Sequence, residues 1–367
     1  MINSSDIIKY KKDWFDGGKY IKLQTQSIED RLAEFAGGRL YLEIGGKFLY
    51  DAHAARVLPG FNPESKKLIF DELIDQAEIL FCVNSQDIEE NRQLSNQDID
   101  YITYVHDMIH DIEKTLGIKP HVVMNMMDPY STPDEIMDFQ RDLQRKGYRV
   151  WERYSIDGYP DDIDTILSED GFGQDDHIPL TQNLILVTGA ASNSGKMSTC
   201  LGQIYQDNLI DIKSGYAKYE TFPLWNLPLD HPINLAYEAA TADIGDFNCW
   251  DELYIEAYGT DAVNYNRDVE AFELVQSMSN DMVWPKNYMR NYKSPTDMWV
   301  SNAGFCISDD EMCCVAAYQE IQRRKEWYQQ MIARKEWDKK WIERCDRLLA
   351  KCIEYMDKKW YNKDKKI

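Results

Sequence analysis

Gly195 and Lys196 end the segment Gly189-Ala-Ala-Ser-Asn-Ser194-Gly195-Lys196, which follows the apolar run Leu184–Val187 and precedes a helix-forming stretch. A small-residue loop between a buried strand and a helix lets backbone N–H groups converge on an anion, and a lysine at the helix mouth adds a point charge for phosphate. The pattern departs from a Walker A loop in two ways. Five residues rather than four separate Gly189 from Gly195, and Met197 stands where the magnesium-binding Ser or Thr belongs, with Ser198 and Thr199 just beyond. Gly189, Ser194, Gly195, Lys196, Ser198 and Thr199 are therefore the expected phosphate-binding residues. The same residues also read as a strand-to-helix turn in which Gly195 relieves crowding and Lys196 is a solvated first-turn lysine.

Two further clusters have the residue types for chemistry. In Glu43-Ile-Gly-Gly-Lys47 through Asp51, His53 and Arg56, a strand runs into a glycine pair followed by two cations and a histidine. The glycines permit close approach of backbone to a ligand, Lys47 and Arg56 can meet anionic oxygens, and His53 titrates near neutrality. A turn flanked by helix-surface residues would look the same. The other cluster spans 214–243, where a short strand near Tyr216–Tyr219 leads into a long Pro-broken loop and a helix opened by His231-Pro232. Lys218, Glu220, Asn226, His231, Asn234 and Glu238 offer donors and acceptors there, with His231 or Glu238 as the expected base.

These clusters need a scaffold, and the first two-thirds of the chain supplies one. Candidate strands at 40–44, 78–83, 121–126, 149–154 and 184–187 alternate with helical patterns at 64–77, 96–116 and 133–146. Such alternation implies an α/β protein with a largely parallel, helix-covered sheet and a P-loop-like strand-loop-helix, whose ligands sit beyond the carboxyl ends of the strands. Loops after Ile44, Met126 and Val187 all begin at that edge. If so, Gly45, Lys47, His53 and Arg56 should share a cleft with Lys196. The segment between Tyr154 and Asp176 is acidic, without Lys or Arg, and reads as a solvated connector rather than a calcium loop.

The chain has 367 residues and a formal charge of −22, with 44% hydrophobic residues. That length suits a large core in two units: an α/β nucleotide-binding-like domain over 1–290 and a mainly helical C-terminal region over 291–367. The acidic balance argues against nonspecific nucleic-acid or anionic-membrane binding. Neither a signal-peptide core nor a membrane-length apolar run is present, so the expected location is cytoplasmic. The eight cysteines include no Cys-x-x-Cys and read as reduced thiols, and no metal-ligand set is assigned. Residues 321–367 carry +7. There Trp337, Trp341, Cys345, Leu348, Cys352 and Met356 recur at helical spacing, and their common face suggests either packing on the body or a homo-oligomer.

Glu43-Ile-Gly-Gly-Lys-Phe48, His53-Ala-Ala-Arg-Val-Leu-Pro-Gly-Phe61, Ser194-Gly-Lys196, Lys213–Pro228, His231–Asp243 and Ala262–Asp268 resemble blocks of the bacterial UPF0371, or DUF1846, family. The resemblance runs over roughly residues 10–325. It implies an α/β nucleotide-binding-like domain, a helical region and a further C-terminal α/β subdomain, and the present chain is expected to be a short variant without that last part. The Gly-Lys-x-Ser-Thr ending also resembles the phosphate loop of ATP-dependent ligases such as formyltetrahydrofolate synthetase. The resulting expectation is a P-loop-like nucleotide- or phosphate-binding protein, an ATP-dependent phosphotransferase or ligase acting on a small acidic metabolite. In it Gly195 and Lys196 would hold phosphates of ATP or another nucleotide, Ser198 or Thr199 would orient Mg2+, and Lys47 and Arg56 would neutralise a small anionic ligand. The alternatives are a noncatalytic nucleotide-sensing or scaffold protein, and an enzyme that binds a phosphorylated metabolite without nucleotide.

Overall fold

The computed structural model describes residues 13–94, 99–333 and 339–367. Its centre is a seven-stranded sheet with the spatial order Trp299–Val300, Ser214–Tyr219, Arg39–Ile44, Leu184–Gly189, Ala77–Asn84, His121–Met127, Val150–Tyr154. Every neighbouring pair is parallel. Central strands of such a sheet are covered on both faces and so read as continuous apolar runs, as Ile-Leu-Phe-Cys-Val at 79–83 and Leu-Ile-Leu-Val at 184–187 do; all nine residues are fully buried. The strands expected at 40–44, 78–83, 121–126, 149–154 and 184–187 are all in this sheet, and helices cover 65–73, 101–116 and 134–145. The expected 64–77 helix ends early because Ile74–Gln76 tightens into a single 3-10 turn before the next strand.

Strand order creates the crevice. From Arg39–Ile44 the chain crosses toward Ala77–Asn84 in one direction along the sheet, whereas from Leu184–Gly189 it crosses back to Ser214–Tyr219 in the other. Right-handed crossovers then send helices 65–73 and 196–209 to opposite faces, and the loops leaving these two adjacent strands diverge at their carboxyl ends.

The segment after residue 290 begins as part of the sheet, since Trp299–Val300 pairs with Lys218 and Tyr219. Helices Asp310–Ala333 and Lys340–Lys358 follow and pack on each other and on helix Pro232–Ala240. Cys345, Leu348, Cys352 and Met356 are buried in that packing, and Trp341 is half-buried against the core. The apolar face expected to seek a partner is thus covered by the chain's own helices, which removes the argument for a homo-oligomer through it. Trp337 lies outside the described residues. Among the described residues, no helix is long and apolar enough to cross a membrane.

Candidate functional site

A cavity of about 860 Å3 opens at the divergent loops and is lined from five strand ends. Gly45, Gly46 and Lys47 follow strand 39–44; Asn125 and Met126 end strand 121–127; Tyr154 and Ser155 end strand 150–154. Ser192, Asn193 and Gly195–Ser198 come from the loop after 184–189, and Lys218 and Glu220–Phe222 from strand 214–219 and beyond. His53, Lys66, Tyr265, Arg267, Asp268 and Arg324 close the sides.

Gly195 caps helix Lys196–Leu209 in the left-handed region, φ +83°, and a Cβ there would fall 2.7 Å from Asn125 Cγ, so two independent constraints require glycine. Asn125 Nδ2 donates to the Ser194 carbonyl at 2.9 Å, and Arg267 Nη1 to Asn193 Oδ1 at 2.5 Å. These bonds set the loop. The first intrahelical bond runs from Thr199 N to Gly195 O, and no side chain caps the first turn, leaving the amides of Lys196, Met197 and Ser198 without an acceptor among the described residues. Lys196 Nζ has no partner among the described residues and lines the cavity. Gly189 ends its strand against Ser194, whose buried hydroxyl also lacks a partner among the described residues.

The hydroxyls expected to orient magnesium are otherwise engaged. Arg153 Nη1 reaches Ser198 Oγ at 3.2 Å, Thr199 Oγ1 at 3.3 Å and Asn125 Oδ1 at 3.2 Å, while Thr199 Oγ1 itself donates to Asn125 Oδ1. Thr199 is fully buried and Arg153 is 2% exposed. A guanidinium held against both hydroxyls repels a cation, so these residues do not fit Mg2+. Arg153 is itself fixed by Asp175, with Nε and Nη2 at 2.9 and 2.5 Å from Oδ2. Asp175 therefore departs from the expectation of a solvated acidic connector. Burial raises its carboxyl above the usual range although Arg153 opposes the shift.

Lys47 and His53 join Lys196 in the cavity, but Arg56 does not line it. Arg56 Nε instead donates to Glu320 Oε2 at 2.8 Å, and His53 Nδ1 lies 3.2 Å from Glu320 Oε1. Burial alone would raise the Glu320 carboxyl; bonds from Arg323 and His53 and the charge of Arg56 outweigh it and hold it far below the carboxylate range. Gly45 and Gly46 line the cavity, yet Gly45 has no room for a side chain of its own. A Cβ on Gly45 would come within 2.2 Å of Glu220 Oε2, and Lys66 Nζ lies 3.5 Å from the corresponding position on Gly46. Lys66 is 2% exposed and ties down the loop by donating to the carbonyls of Gly45 and Lys47 at 2.5 and 2.8 Å.

His231 and Glu238, the expected bases, stand away from the cavity. His231 Nδ1 accepts from Ile233 N as the cap of its helix, which leaves Nε2 protonated to donate to Asp310 Oδ1 at 3.0 Å. Cys314 Sγ lies 3.7 Å from that same Nε2, and the three groups are close enough to suggest a metal site. With both ring nitrogens committed, however, no lone pair remains for an ion. Glu238 pairs with Arg344 at 3.2 Å.

The cavity floor carries Lys218 and Glu220, two of the polar residues expected in the 214–243 segment, and joins them to Glu43, Tyr265 and Asp268. Lys218 Nζ donates to Asp268 Oδ1 at 2.6 Å and to the Tyr265 hydroxyl, and lies 3.5 and 3.9 Å from carboxylate oxygens of Glu220 and Glu43. Tyr216 donates to Glu43 at 2.7 Å and Trp299 Nε1 to Asp268 at 2.7 Å. Burial would lower the Lys218 ammonium, but Asp268, Glu43 and Glu220 raise it above its usual range. The available signal was a charged residue inside a strand covered on both faces, which must be buried and paired.

A family model described as "Domain of unknown function DUF1846, N-terminal" matches residues 14–353. The chain belongs to the DUF1846 family. It is 47% identical over 311 residues to a UPF0371 protein of Corynebacterium glutamicum, covering 84% of this chain and 61% of that protein. Against a UPF0371 protein of Streptococcus uberis it is 43% identical over 317 residues, 86% of this chain and 62% of the relative. The DUF1846 chain described here thus spans about three-fifths of the length of these curated relatives.

Proposed function

We propose that this DUF1846 chain is an enzyme that binds a phosphorylated small molecule, with the phosphate at the 189–196 loop and the rest of the ligand reaching the cavity floor. The observation that carries this reading is the wall formed by three first-turn amides without acceptors and the unpartnered Lys196, facing a cavity that Lys47 also lines. Helix N-termini favour anions, and a charge-assisted contact from lysine adds to that preference. The Arg153 contacts to Ser198 and Thr199 favour a phosphometabolite held without metal over a magnesium nucleotide.

Isothermal calorimetry with inorganic phosphate tests the reading. A charge-assisted contact is worth about 1.5–3 kcal/mol, so Lys196→Ala should bind phosphate at least about tenfold more weakly with its fold unchanged by circular dichroism. Equal affinity of the two proteins would overturn the assignment. ATP binding that depends on Mg2+ would replace the phosphometabolite by a nucleotide, and mass spectrometry of ligands retained through gentle purification identifies which is carried.

A further inference from the structure

Three carboxylates share one ammonium on the cavity floor, and they are not equally supported. Asp268 is held by Lys218 at 2.6 Å and by Trp299 at 2.7 Å, and Glu43 receives the Tyr216 hydroxyl at 2.7 Å. Glu220 has only its Oε1 engaged, accepting from Tyr265 at 3.1 Å with Lys218 at 3.5 Å. No donor among the described residues reaches its Oε2, and the residue lines the cavity. A single buried lysine cannot keep three carboxylates ionised with equal ease, so the least-supported one takes the proton. The charged and titratable groups around it are Lys218 and Tyr219 on the strand that it follows, Glu43 on the neighbouring strand, Lys66 from helix 65–73, Tyr237 from helix 232–240, and Tyr265 and Asp268 from the 263–281 segment. Burial, then the repulsion of Asp268 and Glu43, outweighs the attraction of Lys218 and Lys66 and pushes the Glu220 carboxyl up to about 7.

We propose that Glu220 is the proton-transfer group of this cavity, acting through Oε2 on a hydroxyl or ammonium group of the bound molecule. The inference rests on the cavity being a ligand site. In the forward direction the ligand O–H or N–H bond breaks, the proton forms an O–H bond at Glu220 Oε2, and the electron pair stays on the ligand heteroatom, which becomes the stronger nucleophile. Return of the proton restores the carboxylate. Lys218 stays charged throughout and, with Tyr265, holds Oε1 so that only Oε2 turns over. An anionic group on the floor would face three carboxylates. The ligand is therefore a molecule with phosphate at one end and a proton-bearing hydroxyl or amine at the other.

Carbon-13 NMR of the full chain labelled at the glutamate side-chain carboxyl carbon tests this without a known substrate. The expected result is one resonance titrating near pH 7, missing from Glu220→Gln, whose midpoint moves upward when inorganic phosphate saturates the protein. Glutamates that all complete their titration below pH 5.5, or a neutral-range resonance that survives in Glu220→Gln, would overturn the proposal. So would an unchanged midpoint in protein that calorimetry shows to be phosphate-loaded. Should Glu220→Gln fail to fold, the wild-type titration with and without phosphate still decides. Absence of any phosphate binding heat would strike the phosphate assignment alone, and the titration would then judge Glu220 separately.

Discussion

Asp175→Ala should unfold the support beneath the 189–196 loop. Arg153 is 2% exposed and directs Nε and Nη2 at one oxygen of Asp175, leaving Nη1 to reach Asn125, Ser198 and Thr199. Removing the carboxylate strands a buried guanidinium, a change that costs about 3–5 kcal/mol where one partner of a buried pair is deleted. With about 2.1 cal/mol/K of unfolding entropy per residue over 367 residues, that cost lowers Tm by about 4–6 °C. Calorimetric melting at pH 7 reads it directly. The double substitution Arg153→Met with Asp175→Leu should recover much of the loss, because burial raises the Asp175 carboxyl even beside Arg153 and the pair is costly to desolvate. A single Asp175→Ala variant melting within about 1 °C of the parent would refute the claim that Arg153 depends on this carboxylate.

Gly45→Ala drives a Cβ to 2.2–2.4 Å from the Glu220 carboxylate, and the overpacking should cost about 1–3 kcal/mol in urea unfolding; an unchanged midpoint would show that Glu220 has somewhere else to go. Glu220→Gln should change the pH dependence of stability in a defined direction. A carboxyl raised from 4.5 to about 7 binds its proton more tightly in the folded state, so the wild type loses stability as pH rises from about 4.5 to about 7, by up to about 3 kcal/mol. The glutamine variant lacks that loss and should gain on the wild type at pH 8 but not at pH 4, as denaturation at the two values would show. Glu320 has the opposite sign: its carboxyl is depressed, so its contribution is present above about pH 4.5 and fades as pH falls below that, and Glu320→Gln should be destabilising at pH 7 and less so in acid. Leu348→Ala should lose about 2–5 kcal/mol, since Leu348 is 2% exposed within the chain's own helices, with no change in mass by light scattering.

The parallel sheet was legible because apolar runs of four to six residues with helical segments between them leave few alternatives, and the loops at their carboxyl ends were legible for the same reason. Lys196 and Lys47 were found as motif residues beside glycines, His53 as a titratable group shortly after, and all three line one cavity. Arg56, His231 and Glu238 share the same residue types, yet their partners are Glu320, Asp310 and Arg344 on the C-terminal helices, contacts across many residues that local spacing cannot encode. The glycine pair has structural reasons of its own. Gly45 and Gly46 do line the cavity, but a Cβ on Gly45 would collide with the Glu220 carboxylate and Gly46 takes a left-handed φ of +64°. A second cue to the floor lay inside the strands. Glu43, Arg153 and Lys218 interrupt apolar runs near strand ends; Glu43 and Lys218 occupy paired positions on adjacent strands, and both line the cavity. A charge that the sheet forces indoors must bring its counter-charges with it, and at the carboxyl edge those counter-charges gather where the loops diverge. For this chain, buried charges at strand ends locate the polar floor of the cavity, and the small-residue loop locates the wall that carries Lys196.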